Sequence, residues 1–267
     1  MGALQHPIDA RQVLANRDLA LEKVAQGIDA LTAARRLANV SHCPVLGYFS
    51  NLSRDQALNR YRWEADKAGW WRLMKASGLW PLMDEMSRIR WRQELEEKRF
   101  PPLTAEAIEK KFSDLFDRRH DMLENEVENV FRGISWESGA PVALPASFRV
   151  NHFASIYQIQ LPENLGGMVP LVRLLAVMEG SIDAEHVATD FRVSCMSASD
   201  ERRASCAYLS VQWFKNGKAK VQLEPEAMVL VDRLHALLAK RWPEKFQAVE
   251  GWTVSEVVGG KKTIEAK

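Results

Sequence analysis

Two runs of alternating residues, 208–214 and 218–223, flank the dipeptide Asn216-Gly217 and together predict a β-hairpin. A two-residue turn would mix apolar and polar side chains on both faces of that hairpin. A three-residue loop shifts the register by one residue, and one face then becomes wholly apolar. We therefore predict a type I turn with Gly217 in the left-handed region. The predicted register pairs Trp213 with Ala219, Val211 with Val221 and Leu209 with Leu223.

The other face of this hairpin is polar and aromatic. It carries Tyr208, Gln212, Phe214, Lys218 and Lys220, and Lys215 lies in the loop. Aromatic rings beside lysines can stack bases and bind phosphates. We therefore predict a nucleic-acid contact made by Phe214, Lys215, Lys218 and Lys220. Two alternatives stay open, namely an ordinary exposed strand and lysines that protect a sheet edge from aggregation.

Residues 10–39 are predicted to form a helix with a narrow apolar stripe at Leu14, Leu21, Val24, Ile28 and Leu31. Such a stripe favours packing of the helix on its own domain. Because the seam is narrow, like that of a coiled coil, pairing with a partner protein or with a second copy of the chain is the alternative. Under that alternative, Leu21 and Ile28 are the predicted partner-binding residues.

The segment 54–99 is predicted to form two helices, 54–76 and 82–99, with Ser53 as the N-cap of the first. Five of the nine tryptophans lie between residues 63 and 91, and clustered tryptophans most often indicate a core or an interface. The segment is also basic. Its second helix carries Arg88, Arg90 and Arg92 around Trp91. We predict that these three arginines contact nucleic acid.

The clearest apolar periodicity extends from Ile108 to Ile134, after a predicted N-cap at Thr104. It predicts one continuous helix, roughly 45 Å long at the usual rise per residue. Arg119 and Glu126 fall on or beside its apolar stripe. They are interpreted as a paired couple at the edge of the stripe, or as a buried polar pair in a cleft.

After residue 136, glycines and prolines separate shorter segments. Strands are predicted at 148–152, 155–161 and 191–195, and helices at 168–179 and 226–241. The pattern predicts an α+β fold with a helix-rich N-terminal half and a small antiparallel sheet with helices in the C-terminal half. We therefore divide the chain into a helical region, residues 1–136, and a mixed region, residues 137–267. The two regions are either separate domains or one continuous domain.

The composition argues against several classes of protein. Lys and Arg total 36 and Asp and Glu total 35, so the net charge of +1 creates no overall field, and only a local patch would attract nucleic acid. Three cysteines argue against a disulfide-stabilised secreted domain, and no apolar run is long enough to span a membrane. We expect a cytoplasmic protein with no membrane partner. No motif predicts a metal site, a cofactor or a catalytic residue.

Two segments resemble those of a known domain family. One is 115–136, with the run Val130-Phe131-Arg132 ending in Ser135-Trp136, and the other is 208–223, centred on Trp213-Phe214-Lys215-Asn216-Gly217. The family is an uncharacterised one from phages, plasmids and integrative elements, and in some members the domain follows a DNA adenine-methyltransferase domain. The resemblance covers about residues 70–240. It implies a mobile-DNA context, with either DNA modification or conflict with host defence, and no activity that can be assigned to particular residues.

Three functions are consistent with these patterns. The first is a non-catalytic, DNA-associated accessory protein of a mobile genetic element. The second is a protein-interaction module that inhibits a host defence system, of the anti-restriction or anti-CRISPR type. The third is an enzyme whose site is assembled from dispersed carboxylates and histidines. We favour the first, because both the basic aromatic segments and the family context support it.

Overall fold

A computed structural model of the protein describes residues 9–37, 53–134, 141, 143–153, 165–181, 183–198 and 200–246. These residues contain four strands, which are β1 (Ser147–Val150), β2 (Arg203–Ser205), β3 (Leu209–Trp213) and β4 (Ala219–Leu223). They also contain eight α-helices: α1 (Ala10–Leu37), α2 (Arg54–Ala76), α3 (Glu85–Glu96), α4 (Ala105–Asp117), α5 (Arg119–Ile134), α6 (Met168–Glu179), α7 (Ala184–Ser197) and α8 (Pro225–Ala239). The predicted α+β class is confirmed. Across the described ranges, no helix has both the length and the apolar character needed to cross a bilayer.

The described residues divide into two compact units. Unit 1 comprises 9–37, 53–80 and 88–117, and unit 2 comprises 81–87 and the described part of 118–246. The boundaries of these units differ from the boundary between a helical and a mixed region that the sequence suggests near residue 136. The reason is α5, whose buried residues Leu123, Val127 and Phe131 lie in the same core as the sheet.

Unit 1 begins with an antiparallel pair formed by α1 and α2. Ion pairs Arg17–Asp66 (2.7 Å) and Arg54–Asp29 (2.6 Å) fix the register of the two helices. The predicted start of α2 is confirmed, since the side chain of Ser53 accepts a hydrogen bond from the backbone N–H of Gln56 in a capping box. All five residues of the predicted stripe of α1 are half-buried. Among the residues of this helix whose side chains the structure describes, only Ala10 and Val13 are buried, and both lie outside the stripe.

An aromatic cluster forms the core of unit 1. Trp91 and Phe100 pack edge to face with 4.6 Å between ring centroids, and Trp70 meets Phe100 at 5.1 Å. Phe112 from α4 stacks on Trp70 at 6.2 Å. The Trp70 indole N–H donates to the carbonyl of Pro101, so its polar atom is satisfied inside the core. The interpretation of clustered tryptophans as core is confirmed for Trp70 and Trp91, which are buried.

The single long helix predicted over residues 104–134 is wrong, because the chain breaks at Arg118 into α4 and α5. Both halves of the apolar stripe are buried, but in different cores. Ile108 and Phe112 are buried in unit 1, whereas Val127 and Phe131 are buried in unit 2. A continuous period of 3.6 residues shows that each half buries one face, but it does not reveal a change of partner.

Unit 2 is built on a four-stranded antiparallel sheet in the order β1-β4-β3-β2. The predicted hairpin register is confirmed at Trp213↔Ala219, Val211↔Val221 and Leu209↔Leu223. The predicted strand near 148–152 is confirmed as the shorter β1, and the predicted strand 155–161 lies outside the described residues. The helices predicted at 168–179 and 226–241 are confirmed as α6 and α8.

The strand predicted at 191–195 is wrong, because these residues belong to the helix α7. Phe191 and Cys195 are buried but Val193 is exposed, whereas a strand would place all three side chains on one face. The same burial fits a helix, because Ala184, Ala188, Phe191 and Cys195 recur at spacings of three and four. Three alternating residues are too few to separate the two periods.

Candidate nucleic-acid interface

The two faces of the sheet in unit 2 differ in character. The inner face carries the apolar residues of the strands, and these share one core with α5, α6, α7 and α8. The outer face carries the intervening residues, which are exposed or half-buried in all four strands. The alternation of each strand thus places a rigid core beneath a solvent-facing platform. We call this platform the outer face.

A row of four polar residues, two of them arginines, crosses the outer face at right angles to the strands. Arg149 of β1 pairs with Lys220 of β4, Lys220 with Gln212 of β3, and Gln212 with Arg203 of β2. Since neighbouring strands are about 4.8 Å apart, this row spans roughly 14 Å. We call Arg149, Lys220, Gln212 and Arg203 the basic row.

The charge of the outer face has one sign. The four strands read SFRV, RAS, LSVQW and AKVQL, so they contain three basic residues and no Asp or Glu. Within the ranges the structure describes, Arg149, Arg203, Lys218 and Lys220 form no ion pair with an acidic side chain. Among the described residues, a protein with a net charge of only +1 therefore concentrates positive charge on one face of its sheet.

The hairpin loop adds an aromatic ring and two more lysines at one end of the outer face. The Gly217 N–H donates to the Phe214 carbonyl (3.0 Å), and the Phe214 N–H donates to the Lys218 carbonyl (2.9 Å). Gly217 has φ +77°, as predicted for a glycine that follows a type I turn. Phe214 is left 45% exposed, with Lys215 and Lys218 exposed on either side of the turn.

A second row lies next to the basic row and is uncharged. Ser147 pairs with Gln222, Gln222 with Ser210, and Ser210 with Ser205. Hydroxyl and amide groups both donate and accept hydrogen bonds. We call Ser147, Gln222, Ser210 and Ser205 the polar row. The outer face therefore has charged, hydrogen-bonding and aromatic groups side by side.

Two expectations about the hairpin are corrected by the sheet. Tyr208 is not on the outer face but is 5% exposed, and its hydroxyl donates to the carboxylate of Glu179. Burial, reinforced by this carboxylate, raises the pKa of Tyr208. The alternative of lysines that protect a sheet edge is wrong for Lys220, because β4 lies between β1 and β3.

The hairpin half of the outer face is visible in the sequence, but Arg149 and Arg203 were missed. Both lie in short strands that are distant in sequence from the hairpin, and their position depends on which strands they pair with. The sequence signal that could have placed Arg149 on the outer face is the alternation of β1, in which the apolar residues Phe148 and Val150 flank a basic residue.

A known protein family matches most of this chain. Residues 64–244, more than half of the chain, match the family described as domain of unknown function DUF4942. The chain belongs to this family. The match confirms an uncharacterised domain over the segment that the sequence resemblance indicated, about residues 70–240. No curated protein and no solved structure matches the chain.

The arginine segment of the DUF4942 domain does not form a single patch. Residues two apart on a helix point in nearly opposite directions, and Arg88 is buried at 8% exposure whereas Arg90 and Arg92 are exposed. The guanidinium of Arg92 lies over the ring of Trp80, 5.2 Å from its centroid. These arginines belong to unit 1, so they are not part of the outer face of unit 2.

Leu21 and Ile28 lie outside the residues that match the DUF4942 family. Both are half-buried on the stripe of α1, the helix that pairs with α2. Packing within the chain thus accounts for part of the stripe's apolar character, as the first interpretation of the sequence expected.

Two buried charges of the DUF4942 domain pair with each other in unit 2. Arg173 forms an ion pair with Glu126, and both side chains are almost fully buried. Arg173 also donates to Glu185 at 3.2 Å, and the second oxygen of Glu126 accepts from the backbone N–H of Glu85 at 2.9 Å. Glu126 is therefore an interior residue that links α5, α6 and the start of α3.

Proposed function

We propose that this protein is a non-catalytic, DNA-associated accessory protein of a mobile genetic element, and that it binds DNA on the outer face of its sheet. The observation that carries the proposal is the basic row. Arg149, Lys220 and Arg203 lie on one face of the sheet, and its four strands contain no acidic residue. Phosphate contacts from Lys and Arg supply most of the affinity of a protein for nucleic acid.

Two further features support the same function. Lys215 and Lys218 extend the positive charge beyond the basic row to the hairpin loop. The sequence resemblance supports the mobile-element context, since the family that it indicates is found in phages, plasmids and integrative elements. Neither feature depends on a catalytic group.

The test is binding of a labelled 20-nucleotide DNA, both single-stranded and as a duplex, at several salt concentrations. Fluorescence anisotropy of the wild-type protein should show an affinity that falls steeply with salt. In K218Q/K220Q, affinity should fall for both forms of DNA, and the slope of log K against log salt should decrease by about 2, one for each lost phosphate contact.

The matched control is K75Q/K110Q. Lys75 and Lys110 are exposed on helices of unit 1, and their replacement changes the net charge by the same amount. The control should bind as the wild type does. If the two double variants lose affinity equally, the effect comes from total charge and the outer face is not the site. If wild type binds neither form of DNA at low salt, the proposed function is wrong.

Protein binding through α1 is the second candidate, in the role of an inhibitor of a host defence system. The observation that favours it is the incomplete burial of this helix, where Leu19 is 54% exposed and the stripe with Leu21 and Ile28 is only half-buried. In L21S/I28S a protein partner should be lost while the melting temperature changes little. A large fall in melting temperature would instead identify the stripe as part of the core of unit 1.

A further inference from the structure

The shape of the outer face limits the form of nucleic acid that it can bind. The major groove of duplex DNA is about 12 Å wide and admits a helix or a two-stranded ribbon, and the minor groove is about half as wide. The basic row spans roughly 14 Å between backbones before its side chains are added. A four-stranded sheet of this width cannot enter either groove, so duplex DNA would meet it only through phosphates.

Phe214 is placed for a contact that a duplex does not offer. Its ring is 45% exposed at the hairpin end of the outer face, and Lys215 and Lys218 flank it. In a duplex both faces of each base are already stacked on neighbouring bases. An unpaired base has a free face, and aromatic side chains stack on such bases with little dependence on sequence.

The basic row and the polar row together form a binding surface for single-stranded nucleic acid. The basic row supplies positive charge along a line that crosses all four strands. The polar row lies two residues away along each strand, on the side of the basic row opposite Phe214. It offers four hydroxyl or amide groups to bases that turn to that side of the backbone, while a base that turns to the other side reaches Phe214. On a duplex these groups would reach only the sugar-phosphate backbone, because the base edges point into the grooves.

We infer that the outer face is selective for unpaired nucleic acid, whose backbone lies along the basic row while one base stacks on Phe214. This inference rests on the proposed function, since it names the form of nucleic acid bound at the same site. The ligand chemistry, phosphate with an exposed base, is shared by single-stranded DNA and single-stranded RNA, and the experiment separates these two sources.

The experiment compares three 20-nucleotide probes of one mixed sequence: single-stranded DNA, its duplex, and single-stranded RNA. Each is titrated with wild-type protein, F214A, F214Y and F214L. Single strands should bind wild type at least tenfold more tightly than the duplex. F214A should lose roughly tenfold on single strands and nothing on the duplex, because only the stacked base is lost. F214Y keeps an aromatic ring and should bind like wild type.

The variant F214L distinguishes stacking of a base on an aromatic ring from apolar packing of the side chain within the protein. It keeps an apolar side chain of similar size, so it should fold as wild type does by circular dichroism, yet bind single strands as weakly as F214A. If F214A fails to fold, the comparison of F214L with F214Y gives the same answer.

Each outcome decides between the two proposals. Equal affinity for single strands and duplex, or equal loss on both in F214A, would overturn the selectivity and leave DNA binding intact. Binding of no probe would overturn the proposed function and the selectivity together. Tight binding of RNA alone, with loss in F214A, would support stacking of an unpaired base and overturn DNA as the natural ligand.

Discussion

Replacement of Arg173 by Met should strongly destabilise the protein. Arg173 is buried beside Glu126, and removal of one partner leaves the other charge without compensation in the interior. Such a loss costs about 3–5 kcal/mol. In a domain of this size, each kcal/mol lowers the melting temperature by roughly 2–4 °C, so R173M should melt roughly 10 °C lower.

The variant E126Q should cost less, about 1–3 kcal/mol. Its side-chain oxygen can still accept from the Glu85 N–H, and Arg173 keeps its contact with Glu185 at 3.2 Å. The double variant R173M/E126Q contains neither charge of the pair. Its destabilisation should therefore be well below the sum of the two single variants, with a coupling of about 2 kcal/mol.

Urea unfolding followed by far-UV circular dichroism measures all three free energies. The control is R99M, which removes an exposed arginine that pairs with the exposed Glu97 at 2.6 Å. Exposed pairs of this kind contribute less than about 1 kcal/mol. A loss below about 1 kcal/mol in R173M, or strict additivity in the double variant, would refute the account of a desolvated pair that holds α5 and α6 together.

Two further predictions concern the turn and the pH dependence of stability. G217A should lose about 1–2 kcal/mol, because Gly217 has φ +77°, whereas G27A in the interior of α1 should gain about 0.5–1 kcal/mol, since no atom lies within 4 Å of the added methyl group. Thermal melts of both variants check the opposite signs. His235 accepts a hydrogen bond from the Leu144 N–H through Nε2 at 3.1 Å, so the folded protein holds it neutral, and burial lowers its pKa. The contribution of His235 to the stability of the fold is thus fully present above its pKa in the unfolded chain, about 6.5. It is lost as the pH falls below that value, because the unfolded chain binds the proton first. Between pH 7.5 and 5, wild type should lose more stability than H235N, by at most about 1.4 kcal/mol per pH unit, and parallel losses would contradict this assignment.

The predictions that held depend on residues close together in sequence. The hairpin register follows from a turn glycine and from alternation over 208–223, and the start of α2 follows from Ser53 and Gln56. The strand predicted at 191–195 failed because too few residues alternate, whereas two other failures depend on a partner that is distant in sequence. The break between α4 and α5 reflects burial in two cores, and Tyr208 is held inside by Glu179, 29 residues away. Periodicity indicates that a face is buried but not what buries it.

The outer face shows how a distant pairing turns scattered basic residues into one surface. β1 lies far from the hairpin in sequence, and its pairing with β4 places Arg149 opposite Lys220. Once that pairing is given, the direction of Arg149 is no longer free, because Phe148 and Val150 must point into the core and adjacent residues alternate. The same rule turns Arg203 outward, since its neighbour Ala204 is buried opposite Val211. A slip of β1 by one residue would drive the guanidinium of Arg149 into the apolar core without a partner, which is strongly unfavourable. The register that stabilises the core of unit 2 is thus the same register that aligns the basic row.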